Sequence, residues 1–127
     1  MKKKIYKTTK KDFKTFEMAV NHTLSFFHIS EYETTLYHKK LPDARGTCHA
    51  DMENMMCHIE FGTEWSYKPD KKEIERVAFH EIWELLLYPL GSLSLRACSE
   101  ELVNEETHRV IRRMENVLFN IVFNYRS

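Results

Sequence analysis

The chain has 127 residues, 43% apolar and 30% charged, and its 19 Lys and Arg balance its 19 Asp and Glu. That length closes one hydrophobic core and is short for two, and that composition excludes a disordered chain. Zero net charge supplies no global pull towards nucleic acid, and no stretch approaches the roughly 18 apolar residues of a membrane span.

The first eleven residues read as a basic lead-in, and 2–14 hold Lys2, Lys3, Lys4, Lys7, Lys10, Lys11 and Lys14 against Asp12 alone. Nucleic-acid contact would rest on this cluster and nothing else, so it is set aside. Ile5 to Thr8 supplies no apolar core for a signal peptide, and three cysteines without a CxxC argue against a disulfide framework. The expected compartment is the cytoplasm, with reduced thiols.

From Asp12 the residues Phe13, Phe16, Val20, Leu24 and Phe27 recur at helical spacing, which predicts an amphipathic helix ending near Ser30. Tyr32 to His38 alternates and is rich in Thr and Tyr, as strands are. After the turn residues of Leu41 to Gly46, residues 47–61 predict a β-hairpin turning near Glu53 and Asn54. Alternation puts Cys48, Ala50, Met52, Cys57, Ile59 and Phe61 on its core side and Thr47, His49, Asp51, His58 and Glu60 outside. The Cys48-His49 and Cys57-His58 pairs therefore do not converge as four metal ligands; both cysteines read as small core hydrophobes.

Asp70 as N-cap, with Glu73 reaching back, predicts the start of a second helix that runs to Tyr88, where Pro89 and Gly91 stop it. Ser99 caps a long third helix with Glu100 and Glu101 in its first turn. The fold class is α+β in one domain, 1–127: N-terminal helix, about three strands including the hairpin, a buried helix and a long C-terminal helix.

Val77 to Tyr88 is apolar almost all round except for His80, Glu81 and Glu84. His80 and Glu84 are one turn apart and project side by side, with Glu81 beside them. Burying two carboxylates and an imidazole alone would cost several kcal/mol, so they must be paired, coordinated to a metal, or open to a cleft. On the third helix Val103, Val110, Met114, Val117 and Ile121 form a stripe that includes Glu106, while His108 sits at its edge. Glu106 is expected to face the site. Arg109, Arg112 or Arg113 could instead neutralise the acids without any metal.

The stretch Glu75 to Leu87 and the later Glu105 to Asn116 resemble a family of small phage and prophage proteins of metallopeptidase type, which look like minimal zincins. That resemblance implies a metal-dependent hydrolase ancestry and a location in the host cytoplasm. His80 would be the first ligand, Glu81 the catalytic base and Glu84 the second ligand in place of a zincin His. Glu106 or His108 would be the third. The cofactor would be a divalent metal, zinc first. H-E-x-x-E in place of H-E-x-x-H makes a harder site, so the expectation is weak or absent metal binding, a dry site walled by Trp83 and Leu87, and little peptidase activity. The alternative is a non-catalytic protein on that scaffold, binding a protein or peptide partner such as a host defence or regulatory protein.

Overall fold

The structure, a computed structural model, describes residues 4–126. In chain order the elements are β1 (Tyr6–Lys7), α1 (Lys10–Phe26), β2 (Glu33–Lys39), β3 (Gly46–Asp51), β4 (Met56–Gly62), β5 (Glu64–Trp65), α2 (Lys71–Ser94) and α3 (Glu100–Val122). The α+β class is as expected.

The helix starts follow from caps. Thr9 accepts from the Asp12 backbone N–H at 3.1 Å while the Asp12 carboxylate accepts from the Thr9 N–H at 2.9 Å, a complete capping box that starts α1 two residues before the expected Asp12. The helix ends at Phe26, short of Ser30, where His28 turns into the left-handed region at φ 55°. Asp70 caps α2 by accepting from the Glu73 N–H at 2.8 Å. Glu73 does not reach back; it turns towards Arg45 at 3.6 Å and Arg76 at 4.0 Å. Ser99 caps α3 as expected.

The main sheet has order β2-β4-β3, with β4 parallel to β2 and antiparallel to β3. The hairpin forms in the expected register. Cys57, Ile59 and Phe61 are fully buried, Cys48 and Ala50 pack against that core, and His49 and His58 are exposed. The Cys48 and Cys57 sulfurs lie 3.5 Å apart. Phe16 of α1 stacks on Phe61 with centroids 4.6 Å apart, and Trp65 meets Phe61 edge-on at 5.6 Å. Cutting such a buried aromatic to Ala costs about 3–5 kcal/mol.

Three expectations need correction. The lead-in is not simply solvated: Tyr6 and Lys7 pair with Trp65 and Glu64, and buried Thr8 donates its hydroxyl to the Gly62 carbonyl at 2.8 Å. Lys2 and Lys3 lie outside the described residues. Helix α2 does not stop at Pro89 but carries on to Ser94. Pro89 forfeits one hydrogen bond, yet Val103 of α3 packs 3.6 Å from where a Cβ on Gly91 would stand, so tertiary contact holds the extra turn.

The third correction concerns the face of α3. Val110, Val117 and Ile121 are 38%, 59% and 60% exposed, whereas Ile111, Phe119 and Val122 are buried. The buried stripe is therefore rotated from the expected one and packs on Phe79 and Trp83 of α2, with Met114 and Leu118 half-buried beside it. The end of the chain is tied down by His22 Nε2, 2.6 Å from the Val122 carbonyl, and by the Tyr125 hydroxyl, which donates to Glu75. Among the described residues no helix is long and apolar enough to cross a membrane.

Candidate metal centre

Helix α2 presents His80 and Glu84 towards α3, and β3 covers the same stretch. The cover is close: a Cβ on Gly46 would stand 2.7 Å from Val77 Cγ1 and 3.4 Å from Glu81 Cγ. Only glycine lets the strand lie this near the helix. Glu81 beneath it is 4% exposed, while the side chains of His80 and Glu84 are 28% and 27% exposed. The site is thus open to solvent on one side, not the dry pocket expected from Trp83 and Leu87.

His80 and Glu84, one turn apart, place Nε2 and Oε1 at 3.4 Å. From α3, His108 brings its Nε2 to 3.2 Å from the same Glu84 oxygen. Donor atoms of His80, Glu84 and His108 all lie within 4.8 Å of one another. Ligands at about 2.0–2.1 Å in a tetrahedral zinc site stand about 3.3 Å from each other. Two of the three edges already have that length.

The other ring nitrogens are engaged. His80 Nδ1 lies 2.8 Å from Glu115 Oε1, and His108 Nδ1 lies 2.8 Å from the Asn104 carbonyl. Facing an acceptor, each Nδ1 is placed to donate, which leaves Nε2 as the ring atom turned to Glu84. Imidazole on metal, with its far N–H held by a carboxylate or carbonyl, is the usual arrangement of metal-bound histidine. Without a metal, a proton on His80 Nε2 takes the place of the ion and is donated to Glu84.

The ionisation of the cluster reflects this crowding of acceptors. Burial would lower the His80 pKa, but hydrogen bonds with Glu115 and Glu84 and the charges of Glu81 and Glu84 outweigh it and push the pKa up to about 10. Burial, and then the charge of Glu84, hold Glu81 well above the ordinary carboxylate value; as an acid it donates to Glu84. Burial opposes ionisation of Glu84 as well, yet its hydrogen bonds with His80 and Glu81 keep it below the usual range.

Of the residues singled out in the sequence, His80, Glu84 and His108 come together, with Glu81 beside them. Glu106 does not: its side chain is 53% exposed and, among the described residues, its ion pair is with Arg109 at 3.5 Å, because it belongs to the exposed stripe of α3. Sequence reasoning missed Glu115. The signal was present in Ile111, Glu115, Leu118, Phe119 and Val122, which repeat at helical spacing as well as the stripe that was preferred. Nor do arginines fill the centre. Among the described residues none comes within 4.0 Å of Glu81, Glu84 or Glu115; Glu84 is met by His80 and His108, and Glu115 by His80.

Fold and site together describe an α+β domain with a candidate divalent-metal centre of two histidines and one glutamate. Comparison with protein-family models, with curated proteins and with solved structures returns no match for this chain.

Proposed function

We propose that the chain is a metal-dependent hydrolase acting on peptide bonds, with His80, Glu84 and His108 as metal ligands and Glu81 as the acid–base residue. The observation that carries this reading is the pair of Nε2 atoms at 3.4 and 3.2 Å from one Glu84 oxygen, each on a ring whose Nδ1 is already tied to an acceptor. With His108 as third donor and not Glu106, the donors carry one negative charge, which would leave a bound divalent ion a net positive charge. A divalent ion held there by His80, Glu84 and His108, zinc first, would supply Lewis acidity towards a carbonyl oxygen and a positive charge that would favour the ionised form of Glu81. Glu81 then takes a proton from water and returns it to the departing amine. Glu115 orients His80, and Asn104 orients His108.

Zinc titration of metal-free protein, followed by a peptide-hydrolysis assay of wild type and Glu81→Gln, tests the reading. Zinc bound at one per chain, with hydrolysis lost in Glu81→Gln, supports it. Absence of zinc binding sinks it. A non-catalytic reading draws on a different observation: Leu90, Leu93, Leu95 and Leu102, which are 63%, 59%, 48% and 47% exposed at the α2–α3 end, form the kind of apolar surface that a protein partner covers.

A further inference from the structure

Beside the triad lies a hollow of about 420 Å³, of small-ligand size. It is lined by His80, Glu81 and Glu115 together with Arg45, Arg76 and Arg112. Two of these guanidinium groups are held by stacking. Arg45 lies over the Tyr67 ring at 4.7 Å and the Trp65 ring at 5.7 Å, and Arg76 over the Phe119 ring at 4.8 Å. Stacking fixes a guanidinium while leaving its in-plane N–H groups for a planar acceptor.

Those donors are poorly used. Arg45 Nη1 and Arg76 Nε are buried and make no hydrogen bond. The carboxylate nearest to each is Glu73, at 3.6 and 4.0 Å, which is beyond hydrogen-bond reach. Both buried nitrogens turn to Glu73, which does not line the hollow, so an acceptor in the hollow would meet the other nitrogens of these two guanidinium groups. Arg112 forms no ion pair among the described residues. Asp43, Glu81 and Glu115 also line the hollow, so a dianionic phosphate meets more repulsion there than a monoanionic carboxylate.

The geometry points to a carboxylate subsite in this hollow, built by Arg45, Arg76 and Arg112, that takes the C-terminal carboxylate of a peptide and sets its last peptide bond beside His80 and Glu81. The binding half stands on the arginines alone; the cleavage half rests on the hydrolase reading above. In that cleavage the C–N bond of the last peptide breaks and a C–O bond to water forms. The water's oxygen enters the new carboxylate, its proton reaches the departing amine through Glu81, and one free amino acid leaves per turnover.

Calorimetric titration of the full chain with an N-acetylated dipeptide acid, its C-terminal amide and inorganic phosphate tests the subsite without turnover. The acid should bind about tenfold or more tighter than the amide, as for a site built to pair a charged group. Arg112→Gln, on an exposed side chain, and Arg76→Gln should each shrink that preference without changing zinc content. Equal binding of acid and amide, no binding of either, or phosphate binding tighter than the acid overturns the subsite. A preserved acid preference with no amino acid released by zinc-loaded protein leaves the subsite standing and overturns the hydrolase. Internal cleavage with no acid preference does the reverse.

Discussion

Two clusters of carboxylates and imidazoles sit on opposite sides of the same three-stranded sheet, and their wiring differs. On the open face, Glu60 accepts from Thr47 Oγ1 at 2.6 Å and His49 Nε2 at 3.2 Å on one oxygen and pairs with Lys39 Nζ at 3.0 Å on the other. Every acceptor has a donor, and these bonds, Thr47's first and then Lys39's, pull the Glu60 pKa down to about 2. On the helix-packed side, three carboxylates share two imidazoles, and the strain shows as a raised Glu81 and a raised His80. The outer cluster is complete in itself; the inner one reaches its balance only by keeping a proton on Glu81 and an extra one on His80. Protons held against such crowding mark a site that could take a cation in their place, which the outer network does not offer.

The sharpest test of this contrast is Glu81→Gln. Hydrolysis should fall by about 100-fold or more, the worth of a positioned acid–base group. The same change swaps a buried, protonated carboxyl that donates to Glu84 for a neutral amide of nearly the same shape that still donates, so thermal unfolding of the metal-free protein should move by less than about 1 kcal/mol of stability. A variant that is both inactive and less stable would place Glu81 in an ordinary structural network like that of Glu60.

His80→Ala and His108→Ala come next. Each should weaken zinc binding by more than about 100-fold in a competition titration, since even the partners of metal ligands are worth about 10–100-fold. Glu106→Ala should leave the affinity unchanged, and a loss there would restore the face of α3 that the structure rejects. Glu115→Gln, which alters only the support of His80, should cost about 10–100-fold in affinity with zinc still bound.

The smallest effect belongs to the outer cluster. The folded pKa of Glu60, about 2, lies below its unfolded value of 4.5. Its contribution is therefore complete above pH 4.5 and is lost as pH falls from there towards 2. Glu60→Gln should lower stability at neutral pH by about 1 kcal/mol and flatten the acid limb of the stability curve, with zinc content unaffected. An unchanged acid limb would mean that the cluster does not hold Glu60 in its charged form.

Much of the architecture was legible because it is local. Asp70 and Ser99 mark helix starts through bonds to residues three positions on, and alternation in 47–61 decides which side of the hairpin Cys57, Ile59 and Phe61 occupy. The completed box of Thr9 and Asp12 was equally local and was overlooked. Pro89 misled because a proline signal is only a propensity, and the packing of Val103 near Gly91 overrides it.

The linear order of residues settles that His80 and Glu84 stand one turn apart on a buried helix with Glu81 between them, since helical geometry alone puts them there. It does not settle what meets them. Helix α3 carries two apolar stripes of similar strength, one including Glu106 and the other Glu115. Only its packing against Phe79 and Trp83 turns Glu115 and His108 inward and leaves Glu106 in solvent. The rotation of one helix against another depends on side chains distant in sequence. The third member of the candidate metal group, the carboxylate behind His80 and the three arginines around the hollow are therefore products of tertiary structure.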